Sequence, residues 1–281
     1  MFYRFIVFLA MIFVRPFVSL KILHKENLRY QGGAILVANH LRAIDVIWVA
    51  LLFRKENLVF LGKKEAFESK FGGWFLRKMG AIPIDRGGND VGAMLKVVRA
   101  LKQGKKVCVF PEGTRNKKST ELLPTKNGAC AMAIAAKVPL IPMIQYNRFR
   151  MFHRSYIAVG TPYDFSDYYS TRMNGEKTEL SGAYMRENLL SLQRELALVM
   201  ELPRKERKKR FKRKGELPAE PVHAKIPLLT GETADYKKEN EQTPRQGSPA
   251  ILPEAAAIGS PQGTAPAATS PVGAESSGNK Q

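Results

Sequence analysis

The chain has 281 residues, 44% hydrophobic and 25% charged, which allows one or two domains. Its formal net charge of +20 and pI near 10.0 call for an anionic partner: a phosphate-bearing substrate, anionic lipid or nucleic acid. The two cysteines, Cys108 and Cys130, lie in apolar or small-residue surroundings, and the four histidines are scattered, so neither a disulfide framework nor a metal site is expected.

Residues Met1 to Leu20 are apolar and aromatic, broken by Arg4, Arg15 and Pro16. The clean run Phe5 to Val14 is shorter than the roughly 20 apolar residues a bilayer span needs. A signal peptide lacks its small-residue cleavage site here, and a spanning helix would have Arg15 reach for a headgroup. The pattern suits a helix lying in one leaflet, with a single span as the alternative.

From His24 to Leu202 short apolar runs alternate with helix-like segments. Ala34 to Ala38, Leu58 to Leu61, Ala81 to Asp85, Lys106 to Phe110, Val138 to Ile144 and Tyr156 to Val159 read as strands. Pro83 pushes its strand towards an edge or a strand end. Val91, Met94, Leu95, Val98 and Leu101 follow helical spacing, with Asn89 or Asp90 as N-cap and Gly104 as the stop. Asp45 to Leu52, Phe71 to Met79, Gly128 to Lys137 and Leu180 to Leu202 read as further helices. The alternation predicts one α/β domain with a largely parallel or mixed sheet flanked by helices. Expected boundaries are a membrane-anchoring segment at 1–23, the domain at 24–203, a basic cluster at 204–214 and a disordered, low-complexity tail at 215–281.

Four blocks carry the chemistry. Asn39-His40 with Asp45 follows the first strand of the domain. On one continuous helix, residues five apart point about 140° away from each other. His40 and Asp45 can therefore meet only if His40 lies in a strand-to-helix turn and Asp45 in the first helical turn. A carboxylate on one imidazole nitrogen sets the tautomer and leaves the other nitrogen free to take a proton near neutral pH. The simpler reading is a turn-capping His and a helix N-terminal Asp. No G-x-S-x-G elbow is present, so the base would activate the acceptor's own hydroxyl. The other blocks are Gly80 to Arg86, Phe110-Pro111-Glu112-Gly113-Thr114-Arg115 and Val138-Pro139-Leu140-Ile141-Pro142.

In this order and at these separations the blocks resemble the signature motifs of the glycerolipid acyltransferases, most closely the bacterial 1-acyl-sn-glycerol-3-phosphate acyltransferases. The resemblance is strong from Gly32 to Pro142 and weaker towards Leu202. It implies His40 as general base with Asp45, and Arg86 with the Glu112-Gly113-Thr114-Arg115 block at the acceptor phosphate. A guanidinium fork suits a phosphate. Alternatively, each Arg pairs with a local carboxylate, Arg86 with Asp85 or Arg115 with Glu112. Gly113 would allow a tight turn that exposes amides, and Glu112 would either meet the glycerol backbone or hold Arg115. Pro139 and Pro142 would shape an acyl-donor groove or simply sit in a core strand.

The expected activity is a membrane-bound transferase of phospholipid biosynthesis. It would move an acyl group from acyl-CoA or acyl-carrier protein to the sn-2 hydroxyl of lysophosphatidic acid, giving phosphatidic acid. No metal or organic cofactor is expected, and the catalytic domain would lie on the cytoplasmic side of the cell membrane. Another lysolipid or glycerol phosphate is the alternative acceptor. The rival from another class is a non-enzymatic protein whose basic cluster holds anionic lipid or RNA. That cluster carries Phe211 but no interleaved aromatics for base stacking, so nucleic acid is not the expected partner.

Overall fold

The computed structural model describes residues 2–224 except 57, 86–89, 172, 214 and 216–220. Nine strands among the described residues form one sheet. They are β1 (Ser19–Leu23), β2 (Ala34–Ala38), β3 (Leu58–Lys63), β4 (Ile82–Ile84), β5 (Lys106–Val109), β6 (Leu140–Gln145), β7 (Arg154–Val159), β8 (Tyr163–Asp164) and β9 (Val222–His223). The main path runs β1-β7-β6-β2-β5-β3-β4, with β8 beside β6 and β9 beside β8. Strand β2 pairs in parallel with β5 and β6, β3 with β5, and β4 with β3. The C-terminal ends of these five strands therefore lie along one rim, where ligands bind in open α/β sheets. Strand β7 is antiparallel to β6, so the sheet is mixed.

The helices are α1 (Phe2–Phe13), α2 (Asp45–Leu52), α3 (Lys70–Lys78), α4 (Val91–Lys102), α5 (Gly128–Ala136), α6 (Gly175–Glu201) and α7 (Arg204–Lys212). They cover both faces of the sheet. Because successive strand side chains alternate, Ile35 and Val37 of β2 join the layer of α4, α5 and α6, while Ala34, Leu36 and Ala38 join that of α1 and α2. All five are fully buried, which is why β2 reads as an unbroken apolar run. Strand β4 with its Pro83 sits at the sheet edge, where a missing N–H costs no ladder bond. Asp90 caps α4 by accepting from the Ala93 N–H at 2.8 Å, and Gly104 ends that turn at φ +76°. Asn89, the other N-cap candidate, lies outside the described residues.

Four boundaries differ from the sequence reading. Ser19–Leu23, assigned to the membrane segment, is an edge strand paired with β7. The long helix α6 starts at Gly175 rather than Leu180, because Asn174 accepts from the Lys177 N–H and caps it there. Within the basic cluster, Arg204–Lys212 form the helix α7, held to the domain by Phe211 against Tyr156 at 5.4 Å. Within the expected tail, Val222–His223 pairs with β8 and Ala224 is buried, while residues 225–281 lie outside the described residues. Helix α1, at about 18 Å for 12 residues, buries Tyr3 and Val7 and exposes Phe5, Phe8, Ile12 and Phe13. No helix among the described residues is long and apolar enough to cross a membrane.

One tie between the sheet edge and α6 is pH-sensitive. His24, left-handed at φ +55° just after β1, places Nε2 2.8 Å from Glu195 Oε1 of α6. That hydrogen bond lifts the imidazole pKa above the usual histidine value, against opposition from burial and Arg210. A raised pKa means that the folded state holds the proton more tightly. The stabilisation is then complete below about pH 6.5, the unfolded value, and disappears as pH rises through the folded value. Glu195→Gln should lower the thermal midpoint by about 1–3 °C in mildly acidic buffer, since both groups are more than a third exposed. The difference from the parent should vanish in alkaline buffer, as scanning calorimetry across the two conditions would reveal.

Candidate active site

His40 is the second residue after β2, and Asp45 is the first residue of α2. This meets the geometric condition stated for the pair: His40 Nδ1 lies 3.1 Å from Asp45 Oδ2. A carboxylate only accepts, so Nδ1 carries the proton and Nε2 is the free acceptor. The same Oδ2 accepts from the N–H groups of Leu41 and Arg42, both at 2.7 Å. Asp45 is thus completely buried at a helix N-terminus that favours an anion, with Oδ2 well hydrogen-bonded and Oδ1 without a partner among the described residues. The apolar run Val46 to Leu52 brings this about, because it drives α2 under the sheet and carries Asp45 inward.

Three further contacts fix the imidazole. Its ring stacks on Phe110, with centroids 4.1 Å apart and planes 18° from parallel. The His40 N–H donates to Glu112 Oε1 at 2.6 Å, and the His40 carbonyl accepts from the Asn116 N–H at 2.7 Å. The second oxygen of Glu112 accepts from the Leu123 N–H at 3.1 Å. Burial raises the Glu112 pKa, while these amide hydrogen bonds pull it down. Glu112 therefore spends both oxygens on backbone, in place of the expected contact with substrate or Arg115. Phe110 and Glu112, just after β5, thus both hold His40. Asn39 locks the other flank: its amide donates to the Gln145 carbonyl at 3.0 Å and accepts from the Gln145 N–H at 2.8 Å.

The remaining sequence-derived residues fall in three groups. Gly113, Thr114 and Arg115 line a cleft of about 530 Å³ with His40, Lys63 and Ala66. Gly113 takes φ +64°, which makes the turn that brings Thr114 and Arg115 to the same cleft as the imidazole. Arg86 lies outside the described residues. Pro139 and Pro142 do not form a groove: both are buried, at the start of and within the central strand β6. Pro142 pairs with Val37, and its carbonyl accepts from the Gly160 N–H at 2.7 Å. The strand between β2 and β7 is covered on both faces, which leaves no wall for an acyl chain there.

Sequence reasoning missed Phe110 and Asn116 as supports of His40, and Gln145 as the partner of Asn39. Only the position of Phe110 and Asn116 beside the Glu112–Arg115 block could have pointed to the first two. Both carboxylates near the imidazole are turned into the scaffold, so the cleft itself presents cations. These are Arg115 and Lys63, the latter 3.2 Å from exposed Glu65. Such a cleft can take a proton from a hydroxyl and attract a phosphate at the same time.

The family model described as Acyltransferase matches residues 19–145, the segment that contains β1 to β6 and every described residue of the cleft. The chain is 34% identical over 124 residues to the 1-acyl-sn-glycerol-3-phosphate acyltransferase of Bacillus subtilis, covering 44% of this chain and 61% of that protein. Its identity to the Helicobacter pylori protein of the same name is 32% over 126 residues, covering 43% and 52%. It thus spans only about half to three fifths of these relatives' length. The crystal structure of the 1-acyl-sn-glycerophosphate (LPA) acyltransferase PlsC of Thermotoga maritima superposes with TM-score 0.52 at 20% identity, over 72% of this chain and 79% of that one, and so shares the fold. Residues 19–145 of this chain resemble a domain of the acyltransferase family.

Proposed function

We propose that the protein is a 1-acyl-sn-glycerol-3-phosphate acyltransferase, making phosphatidic acid from lysophosphatidic acid. The observation that carries the proposal is the Asp45-held imidazole of His40, which lines the same cleft as Arg115. His40 Nε2 takes the proton of the acceptor's sn-2 hydroxyl as its oxygen attacks the acyl thioester carbonyl. The tetrahedral intermediate then collapses and expels the thiolate, which recovers the proton from the imidazolium. Asp45 stabilises that imidazolium without itself taking the proton. Arg115 binds the acceptor phosphate, and Arg86 joins it on the strength of the family resemblance. Acyl-CoA or acyl-carrier protein is the co-substrate, and the transfer so written uses no metal or bound cofactor.

The protein works at a membrane surface, with α1 lying in the leaflet. Its exposed Phe5, Phe8, Ile12 and Phe13 support that placement, as does a length short of the roughly 30 Å hydrocarbon core. The catalytic domain lies on the cytoplasmic side, where acyl thioesters are made.

His40→Ala should lower kcat by about 10²–10⁴-fold while leaving the thermal midpoint near the parent's. Thiol release in the presence of lysophosphatidic acid is the assay, and near-parental turnover by the folded variant would exclude His40 as the base. Arg115→Ala should raise KM for the phosphorylated acceptor at least about tenfold, consistent with loss of a charge-assisted pair, with KM for the thioester little changed. A matching loss with a phosphate-free monoacylglycerol acceptor would remove the phosphate from this assignment.

A further inference from the structure

The loop joining β6 to β7 carries surface features that acyl transfer does not use. Phe152, at its tip, is 77% exposed and adopts φ +63°, a backbone region that a bulky residue rarely occupies. A glycine would sit there without strain, so an aromatic ring held outward in that conformation is there for what it touches. Its ring meets that of Phe17 at 5.1 Å, and its N–H donates to the Phe17 carbonyl at 2.7 Å. Met151 beside it is also exposed.

This knob continues a larger apolar surface. Phe17 follows α1, whose outer face exposes Phe5, Phe8, Ile12 and Phe13. At the far end of α1, Phe2 packs edge-on against Trp74 of α3 at 5.6 Å. Three separated stretches of chain thus line up aromatic side chains, with α1 in the middle. Both flanks emerge at the catalytic rim, since α3 follows the C-terminal end of β3 and the loop follows that of β6.

Along the chain, the loop and its flanks carry charge of one sign. No Asp or Glu occurs between Glu121 and Asp164, nor before Glu26, while the loop and its flanks carry Arg148, Arg150 and Arg154. Arg150 and Arg154 are exposed. The base of the loop is rigid: Asn147 donates to the Arg154 carbonyl at 2.7 Å and accepts from the Tyr156 N–H at 3.0 Å, and Phe149 is buried. Arg42, in the catalytic turn, reaches the Phe149 carbonyl at 3.4 Å.

We infer that the β6–β7 loop is a second lipid-docking element. Met151 and Phe152 enter an anionic leaflet, and Arg150 and Arg154 take headgroup phosphates. The inference rests on the membrane-surface reading of α1 and adds to it an orientation. One helix fixes depth but leaves rotation about its axis free, whereas a second contact at the rim turns the His40 cleft towards the lipid. Aromatic tips flanked by basic residues partition in this way into charged interfaces.

Co-sedimentation of the full chain with phosphatidylcholine vesicles, alone or mixed with phosphatidylglycerol, tests it. Phe152→Gly should weaken partitioning about tenfold on both vesicles while keeping or raising the thermal midpoint, because glycine relaxes the backbone. Arg150→Gln and Arg154→Gln should each cost about fivefold on the phosphatidylglycerol mixture and nothing on phosphatidylcholine alone. Phe8→Ser/Phe13→Ser on α1 is the reference. If it abolishes binding while Phe152→Gly binds like the parent, the loop inference is overturned and the α1 anchor stands. If the parent chain binds neither vesicle, both readings are overturned. Concentration-dependent self-association that Phe152→Gly removes, with vesicle binding unchanged, would assign the knob to a second copy and also overturn the lipid proposal.

Discussion

The structure of the rim around His40 depends on one oxygen atom. Asp45 Oδ2 receives the Leu41 N–H, the Arg42 N–H and the His40 Nδ1–H, and its carboxylate is entirely out of solvent. A buried charge without such donors is strongly unfavourable, so the turn between β2 and α2 must close around it. Closing the turn in that way decides three things together: where α2 starts, which way the imidazole faces and which of its nitrogens is free. The tautomer of His40 is a by-product of satisfying the buried Asp45 Oδ2.

The neighbours of that turn come from strands on either side of β2. Just beyond β5, Phe110 stacks on the imidazole and Glu112 accepts the His40 N–H. From β6, Gln145 closes a two-way bond with Asn39. A general base must stay within a few tenths of an ångström of its working position, and such placement comes from supporting groups that are themselves locked. Here the supports lie at or just beyond the C-terminal ends of β5 and β6, the two parallel neighbours of β2. Stability of the sheet and placement of His40 are therefore one property.

Charge follows the same logic. The chain is strongly basic, yet the two carboxylates closest to His40 face backbone amides and leave the cleft to Arg115 and Lys63. The cleft thus has a cationic mouth beside the imidazole. The basic helix α7 sits elsewhere, against β1 with Phe211 on Tyr156, and adds to the overall field rather than to the cleft.

Much of this was readable in the chain itself. Local periodicity located the strands and helices between Ala34 and Val159, and the five-residue spacing of His40 and Asp45 stated the turn geometry that the structure adopts, since both are short-range consequences of backbone stereochemistry. Long-range pairing left no such trace. Ser19–Leu23 looked like the end of an apolar anchor, and only its register with Arg154–Ala158, far along the chain, makes it a sheet edge. Pro142 looked available to a substrate until β6 took its place between β2 and β7. Glu112 and Phe110 are 70 or more positions from His40, and they meet it because β5 pairs beside β2. Residue type and spacing determined which groups could react; the order of strands in the sheet decided which groups hold them in place, because strand order is settled by burying both faces at once and not by any local preference.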